Sequence, residues 1–315
     1  MRSKHAPFLF LAAFMLACGW LESFLPDQTQ PQVSSHPPQI AFLAYTDEDI
    51  GISDIQLVNE DGSGRTRITD GSGWIEGFSW SPDGSRLAFD WRAPEAEQVE
   101  IYLVNADGSS RAGLTSTPSG GSRWPAWSHD GSKVAYTCYL PEAWICVINV
   151  SDEQVTRLTP GETPAWSPDD SQIAFSLSNL TFAGDLIASP EDGLYVMSSD
   201  GSNIQRLTDS SAYGWDNHPA WSPDSTRILI ASNRHSPGWA LTDTPYVINA
   251  DGSDALQLST TWGNVPFAWS PDGKRVAFAQ GFGSGATLWA VNADGGNEQP
   301  LISEETYGWH PVWRP

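Results

Sequence analysis

The chain is poor in positive charge. Its 315 residues include 16 Lys and Arg against 38 Asp and Glu, which gives a formal net charge of −22. Proteins that hold nucleic acid by its phosphates need clusters of Lys and Arg, so we expect no nucleic-acid partner. Many of the carboxylates stand in repeated turns, where Asp is favoured for its geometry, and this explains most of the acidity.

Known catalytic motifs are absent as well. The sequence has neither the Gly-x-Ser-x-Gly elbow of α/β-hydrolases nor the His-Glu-x-x-His motif of zinc peptidases. Acidic fragments such as residues 60–63 lack the downstream Glu of a calcium-binding loop. These absences make a catalytic role the less favoured one, and we predict no catalytic residue and no cofactor.

Cysteine is scarce, with three residues in the whole chain. One of them, Cys18, belongs to the N-terminal segment. Cys138 and Cys146 flank a short loop between two predicted strands of one hairpin. In an oxidising compartment such a pair can form a cross-hairpin disulfide, and two small buried thiols are the open alternative.

Long apolar runs are missing except near the N-terminus. There a basic segment, residues 1–5, precedes an apolar segment, residues 7–17, that is too short to span a membrane comfortably as a mature helix. This order is typical of a secretory signal peptide. The Met-Leu-Ala-Cys-Gly of residues 15–19 resembles a bacterial lipobox, and the resemblance implies that Cys18 is lipidated.

We therefore predict a signal peptide over residues 1–18, with ordinary signal cleavage or a retained anchor as open alternatives to lipidation. Residues 19–39, rich in Pro, Gln and Ser, are predicted to form a flexible tether. The protein is then expected outside the cytoplasm, in the bacterial cell envelope, and joined to the membrane only through its lipid.

Repeats are what the chain has in abundance. A Trp-Ser-Pro-Asp-Gly segment recurs, with variations, every 39 to 55 residues, at Trp80, Trp127, Trp166, Trp221, Trp269 and, truncated, at Trp313. A period of this length indicates a stacked or radial array. Between the copies, short β-branched and aromatic runs end in Asp-Gly, which predicts strands joined by hairpins. Each repeat should contain four strands, with its Trp packed between neighbouring repeats.

The repeats are out of phase with the ends of the chain. Residues 40–45, residues 55–59 and a strand ending at Ile68 match the second, third and fourth strands of a repeat that has no first strand. Residues 310–313 match a first strand with nothing after it. We predict an all-β fold, a six-bladed β-propeller over residues 40–315, closed by one C-terminal strand with three N-terminal strands.

The motif Pro-x-Trp-Ser-Pro-Asp-Gly resembles that of the TolB-type, WD-like β-propeller family, over about residues 40 to 315. The resemblance implies an envelope protein that works through protein partners. It does not fix a function by itself, because this scaffold serves many roles. Only the tether separates Cys18 from the first strand, so we expect no counterpart of the N-terminal domain that precedes the propeller in TolB itself.

The loops on the face opposite the Asp-Gly turns are irregular, and they carry the candidate binding residues. The candidates are Trp74, Trp91, Arg92, Trp124, Trp215, His218, Arg234, His235, Trp239, Trp262, Trp309 and His310. Aromatic rings around a central funnel suit stacking against sugars or gripping peptide side chains. The alternative is that the Trp residues only cap the blades.

The residue three positions before each repeated Trp is expected to line the rim of the central channel. Around the ring these residues are Gly77, Trp124, Thr163, His218, Pro266 and His310. His218 and His310 could share a metal ion or a substrate carboxylate. No third His or Cys stands at a matching position, so they are weak metal candidates and we predict no metal site.

Two functions remain in competition. The first is a monomeric, non-catalytic propeller that binds a protein, a peptide or a glycan through its loop face or channel. The second is a metal-dependent carbohydrate-active enzyme, because oligogalacturonate-lyase-like proteins use related repeats. His218, His310, Arg234 and His235 would then be its candidates, with Arg92 and Arg234 holding a substrate carboxylate. The acidic chain makes an acidic polymer a poor partner.

Overall fold

The computed structural model describes residues 38–47, 52–117, 120–178, 181–182, 186–187, 191–209, 215–234, 243–260, 263–281, 286–302 and 308–315. All regular elements within these ranges are β-strands. The described residues contain no helix that is long and apolar enough to cross a membrane. Cys18, His235, Trp239 and Trp262 lie outside the described residues. Lipidation and the tether therefore stay predictions.

The strands form six four-stranded antiparallel sheets, which we number as blades in chain order. Blade 1 contains β26 (Gly308–Trp313), β1 (Gln39–Asp47), β2 (Ile52–Asn59) and β3 (Thr66–Arg67). Blade 2 contains β4 (Phe78–Trp80), β5 (Arg86–Trp91), β6 (Glu100–Asn105) and β7 (Ala112–Gly113). Blade 3 contains β8 (Ser122–Trp127), β9 (Lys133–Tyr139), β10 (Ala143–Asn149) and β11 (Val155–Pro160).

The remaining blades follow the same pattern. Blade 4 contains β12 (Glu162–Trp166), β13 (Gln172–Leu177), β16 (Gly193–Ser198) and β17 (Gln205–Arg206), with a small hairpin of β14 (Thr181–Phe182) and β15 (Leu186–Ile187) between β13 and β16. Blade 5 contains β18 (Asp216–Trp221), β19 (Arg227–Ser232), β20 (Thr244–Asn249) and β21 (Leu256–Gln257). Blade 6 contains β22 (Gly263–Trp269), β23 (Arg275–Gln280), β24 (Thr287–Asn292) and β25 (Gln299–Pro300).

The two ends of the propeller close the ring, which confirms the predicted six-bladed fold. β26 pairs antiparallel with β1, where Trp313 stands opposite Ile40 and Trp309 opposite Leu43. The sheet continues from β1 through β2 to β3. Blade 1 therefore combines one C-terminal strand with three N-terminal strands, and this pairing removes an exposed sheet edge at the seam.

The repeated Trp packs between blades, as expected. Its six copies are only 4–8% exposed. Trp80 of blade 2, for example, lies in one cluster with Leu87 and Phe89 of its own blade and with Ala41 and Leu43 of blade 1. Large buried rings dominate the energetics of such contacts, so apolar burial holds neighbouring blades together.

Four of these indole rings are also covered by the guanidinium group of an Arg side chain. The pairs are Arg314 over Trp80 at 5.2 Å, Arg86 over Trp127 at 5.0 Å, Arg227 over Trp269 at 4.9 Å and Arg275 over Trp313 at 5.7 Å. In blades 2, 5 and 6 this Arg is the first residue of the second strand. Blades 3 and 4 have Lys133 and Gln172 at that place.

The Ser-Pro-Asp-Gly turn is held by its own side chains. Asp83 Oδ1 accepts hydrogen bonds from the Ser81 hydroxyl at 2.6 Å and from the Ser85 N–H at 3.0 Å, and Gly84 adopts a φ of 63°. Asp170 and Ser225, which replace this glycine in two blades, adopt a φ of 56° and 60°. The serine hydroxyl and the N–H groups lower the pKa of Asp83 to about 2.

A disulfide joins Cys138 of β9 to Cys146 of β10, with their Cα atoms 5.9 Å apart. The two residues are diagonal neighbours across the hairpin, because Cys138 stands opposite Trp144 and Cys146 stands opposite Tyr136. Both sulfurs belong to buried residues, each 1% exposed. The bond therefore lies inside blade 3, away from solvent.

Candidate binding site

A central cavity of about 480 Å³ runs along the axis of the propeller. It is lined by the first strand of every blade, which we call the inner strand, and by the turn that follows it. At one end, the mouth, stand Pro82, His129, Pro168, Pro223, Pro271 and Pro315. The opposite end is formed by residues five positions earlier in each strand, so the cavity is about 15 Å long.

Backbone bulges aim side chains at this inner end. Trp124, His218 and His310 adopt φ values of 55°, 49° and 56°, and each precedes a proline. The pairing register shifts at these points, for example between Arg123 and Ala126 in β8. A bulge of this kind bends the strand and re-aims a side chain, here toward the axis.

Large and small side chains alternate around the inner end. Trp124, His218 and His310 come from blades 3, 5 and 1. Gly77, Thr163 and Pro266 come from the blades between them. The Trp124 ring centroid lies 4.5 Å from that of His218 and 6.1 Å from that of His310. The three rings meet because their neighbours are small, and we call them the aromatic plug.

Asp90 of β5 supports the plug from behind. Its side chain is fully buried, and Oδ1 accepts the N–H groups of Glu76 at 2.7 Å and Gly77 at 2.9 Å. Its Oδ2 accepts the N–H of Trp124 at 3.1 Å. Burial raises the pKa of Asp90 to about 6. Asp90 is not among the residues predicted from the sequence, although an acidic residue inside the apolar run of residues 87–91 is a usable signal.

The two plug histidines are uncharged at neutral pH. Burial lowers the pKa of His218 to about 4 and that of His310 to about 3. His310 Nδ1 lies 3.0 Å from the carbonyl oxygen of Glu76. In the described part of the chain, no group of three or more His, Cys, Asp or Glu residues could hold a metal ion. The plug thus offers neutral imidazoles on an aromatic surface.

Three of the loop candidates in blade 2 contact other parts of the same chain. Trp74 and Arg92 exchange two main-chain hydrogen bonds of 3.0 Å, and the guanidinium of Arg92 lies 4.4 Å from the Trp74 ring centroid. Trp91 packs edge-on against Tyr102 at 5.0 Å, and Arg111 lies over it at 4.8 Å. These contacts fit the alternative that such rings cap the blades.

The candidates of blade 5 form a similar internal cluster. Trp215 Nε1 donates to Asp243 Oδ1 at 2.7 Å, and Arg234 pairs with the buried Asp216 at 2.6 Å. Burial raises the pKa of Asp243 to about 6. In blade 1, Trp309 stacks on Tyr45 at 6.2 Å. The structure therefore gathers Trp124, His218 and His310 on the axis. Trp309 lies beside them, with its ring centroid 6.1 Å from that of His310, whereas the other described candidates make contacts within the loops of their blades.

Comparison with known proteins identifies the propeller. Residues 122–239 match the TolB beta propeller domain family. Over this stretch the chain is similar to TolB-type β-propellers. The Tol-Pal system protein TolB of Anaeromyxobacter dehalogenans is 37% identical to it over 122 residues, which are 38% of this chain and 26% of that protein. The match thus spans about a quarter of that relative's length.

Solved structures share the propeller fold of this chain. TolB from Acinetobacter baumannii superposes with a TM-score of 0.71 at 20% identity, covering 88% of this chain and 67% of that one. An oligogalacturonate lyase in complex with manganese gives a TM-score of 0.51 at 15% identity, covering 79% and 70%. At these identities the likeness shows the fold alone.

Proposed function

We propose that this chain is an exported, lipid-tethered, non-catalytic propeller that binds a segment of a protein partner in its central cavity. The observation that carries the proposal is the cavity itself, which has an apolar wall of prolines, alanines and tryptophans. Its volume of about 480 Å³ falls within the ~300–1,000 Å³ typical of ligand sites. An apolar loop or chain end inserted at the mouth would be buried on all sides.

The polar groups of the wall favour a protein segment over a glycan. The hydroxyls of Ser128 and Ser270 donate to turn carboxylates at 2.7 Å each, and the Thr163 hydroxyl bonds Ser176 at 2.8 Å. These hydroxyls are therefore occupied within the chain. A sugar needs many hydrogen-bonding groups around it, and burying its hydroxyls without partners is costly.

The family supports an extracytoplasmic protein partner. The relative from Anaeromyxobacter dehalogenans carries the name of the Tol-Pal system, and the match covers 26% of that protein. We therefore propose a role at the cell envelope, with the identity of the partner left to experiment. Residues 1–18 would serve as signal peptide, Cys18 as lipid attachment site and residues 19–39 as tether.

Membrane fractionation tests the tether. Cells producing wild type should hold the protein in the membrane fraction, whereas Cys18→Ser should release it into the soluble envelope fraction. Cys138→Ser, together with Cys146→Ser, is the matched control, because these cysteines lie inside blade 3. Unchanged membrane association of Cys18→Ser would contradict lipid attachment at this residue.

Site-specific photo-crosslinking tests binding in the cavity. A photoreactive residue replaces Ala165, which lines the cavity, and in a control replaces Val155, which is 52% exposed on the outer strand of blade 3. In cells of the native source, position 165 should yield one discrete protein adduct that position 155 does not. Absence of any adduct specific to position 165 would reject cavity binding.

The contacts of the described candidate residues do not favour the enzyme alternative. His218 and His310 have no third metal-ligating neighbour in the described part of the chain. Arg234, the proposed carboxylate holder, is already paired with Asp216 at 2.6 Å. A lyase assay on oligogalacturonate with added manganese would revive this alternative if turnover appeared and His218→Ala abolished it.

A further inference from the structure

The mouth of the cavity is a ring of six equivalent turn positions, and one of them differs. Five positions are prolines, namely Pro82, Pro168, Pro223, Pro271 and Pro315. The sixth, in blade 3, is His129. A ring of prolines offers an inserted segment several similar orientations. The single polar side chain makes one orientation different from the others.

The replacement of the turn proline by His129 in blade 3 is accompanied by a replacement of the turn glycine in blade 4. At two other interfaces the turn proline of one blade packs on the turn glycine of the next, as the position of a Cβ on Gly131, 3.3 Å from Pro82 Cγ, indicates. Gly273 stands in the same relation to Pro223, at 3.4 Å. Opposite His129 the glycine position is occupied by Asp170. Proline and glycine are thus replaced together by a histidine and a carboxylate.

Asp170 fixes His129 through three contacts. Its Oδ1 accepts the N–H of His129 at 2.7 Å, and its Oδ2 accepts the N–H of Asp130 at 2.8 Å. The Nδ1 atom of His129 lies 3.6 Å from the same Oδ1. A carboxylate beside one ring nitrogen favours the tautomer with its proton there, which leaves Nε2 as a hydrogen-bond acceptor. The His129 side chain is 47% exposed, so this acceptor is accessible at the mouth.

We propose that His129 and Asp170 form a specificity notch that binds a Lys or Arg side chain of the segment occupying the cavity. This inference rests on the proposed function. An acceptor nitrogen calls for a hydrogen-bond donor, and the carboxylate of Asp170 beside the ring favours a donor that carries positive charge. His129 contacts the partner directly, and Asp170 acts as a positioning residue that holds the ring.

Selection from a phage-displayed random peptide library tests the notch. Wild type, His129→Pro and a blocked variant, Ala220→Trp, are used as baits, since Ala220 lines the cavity wall. Peptides that bind wild type and not Ala220→Trp are cavity-dependent. On wild type these peptides should be enriched in Lys or Arg beside an apolar tip. On His129→Pro, which restores the residue of the other five turns, the apolar tip should persist and the basic enrichment should disappear.

Matched synthetic peptides then give the size of the effect. Replacing the selected Lys by norleucine should weaken binding to wild type by about tenfold or more, as expected for a charge-assisted hydrogen bond. The same replacement should change binding to His129→Pro by less than about twofold. Asp170→Gly should also reduce the Lys preference. The ratio of the affinities of the Lys and norleucine peptides is informative, because a purely structural loss would weaken the binding of both peptides equally.

The possible outcomes separate the two proposals. Cavity-dependent peptides without a basic preference, or with the same preference on His129→Pro and Asp170→Gly, would overturn the notch while cavity binding stands. No cavity-dependent peptide at all would overturn cavity binding, and the notch with it. A basic preference that is lost in both variants, with melting temperatures unchanged, supports the assignment.

Discussion

The Trp124 ring lies directly over the backbone of Gly77. A Cβ atom on residue 77 would stand 2.7 Å from Cε3 of Trp124, well inside contact distance. Gly77 belongs to the strand entry of blade 2, and Trp124 belongs to blade 3. The closeness of these two residues is what lets the indole reach the axis and meet His218 and His310.

Gly77→Ala should therefore disturb the aromatic plug. The new methyl group must push the indole away, and overpacking of this kind costs typically about 1–3 kcal/mol. We expect the free energy of unfolding in urea to fall by that amount, with a shift in the tryptophan emission. Gly113→Ala is the control, because its Cβ would meet its nearest neighbour, Tyr102 Cε1, at 3.6 Å. Equal stability of Gly77→Ala and wild type would contradict the close contact.

Asp90 should make stability depend on pH between about pH 4 and pH 7. Burial raises its pKa to about 6 in the folded protein, above the value of about 3.9 of an unfolded chain. The folded state thus binds the proton more tightly, so this contribution is full below pH ~4 and is lost as pH rises through about 6. Relative to Asp90→Asn, the free energy of unfolding of wild type should fall by about 3 kcal/mol as pH rises across this range.

The turn carboxylates supply the opposite control. Asp83 has a folded pKa of about 2, below its unfolded value. Its contribution is present above about pH 4 and is lost as pH falls toward 2. Chemical unfolding curves of wild type, Asp90→Asn and Asp83→Asn, measured across the pH range, distinguish the two cases. Parallel curves for wild type and Asp90→Asn would show that the buried carboxylate does not titrate as stated.

His218 should produce acid sensitivity in the plug. Its folded pKa of about 4 lies below the unfolded value of about 6.5. Its stabilising contribution is therefore full above about pH 6.5 and is lost as pH falls toward 4, where the unfolded chain takes up the proton first. His218→Phe keeps an aromatic ring and cannot titrate. The stability of wild type relative to this variant should decline on acidification, and a constant difference would argue against burial of His218.

The fold could be predicted from the sequence because the residues of each turn determine its conformation locally. Ser81, Pro82, Asp83 and Gly84 determine their turn locally, and the other copies repeat it. The residues at the inner end of the cavity could be predicted for the same reason, because they lie a fixed number of residues before each repeated Trp. Trp124, His218 and His310 could be found by counting.

The rest of the site depends on contacts that no local pattern encodes. Asp90 binds N–H groups 13, 14 and 34 residues away along the chain. The apolar strand around Asp90 predicts burial, but not which groups it would meet there. Likewise Trp74 and Arg92 are neighbours only because two loops of blade 2 come together. Their sequence positions could not show that they face each other rather than a ligand.

A single substitution should introduce the contact between guanidinium and indole at a further blade interface. Arg86, Arg227 and Arg275 each begin a second strand and lie over the Trp of the next blade, and Gln172 begins the equivalent strand of blade 4. Gln172→Arg should place its guanidinium over Trp221 and add about 0.5–1 kcal/mol to the free energy of unfolding. Arg86→Gln is the reciprocal change and should remove a similar amount. Thermal unfolding of both variants measures this, and a Gln172→Arg protein no more stable than wild type would mean that this interface differs from the other three.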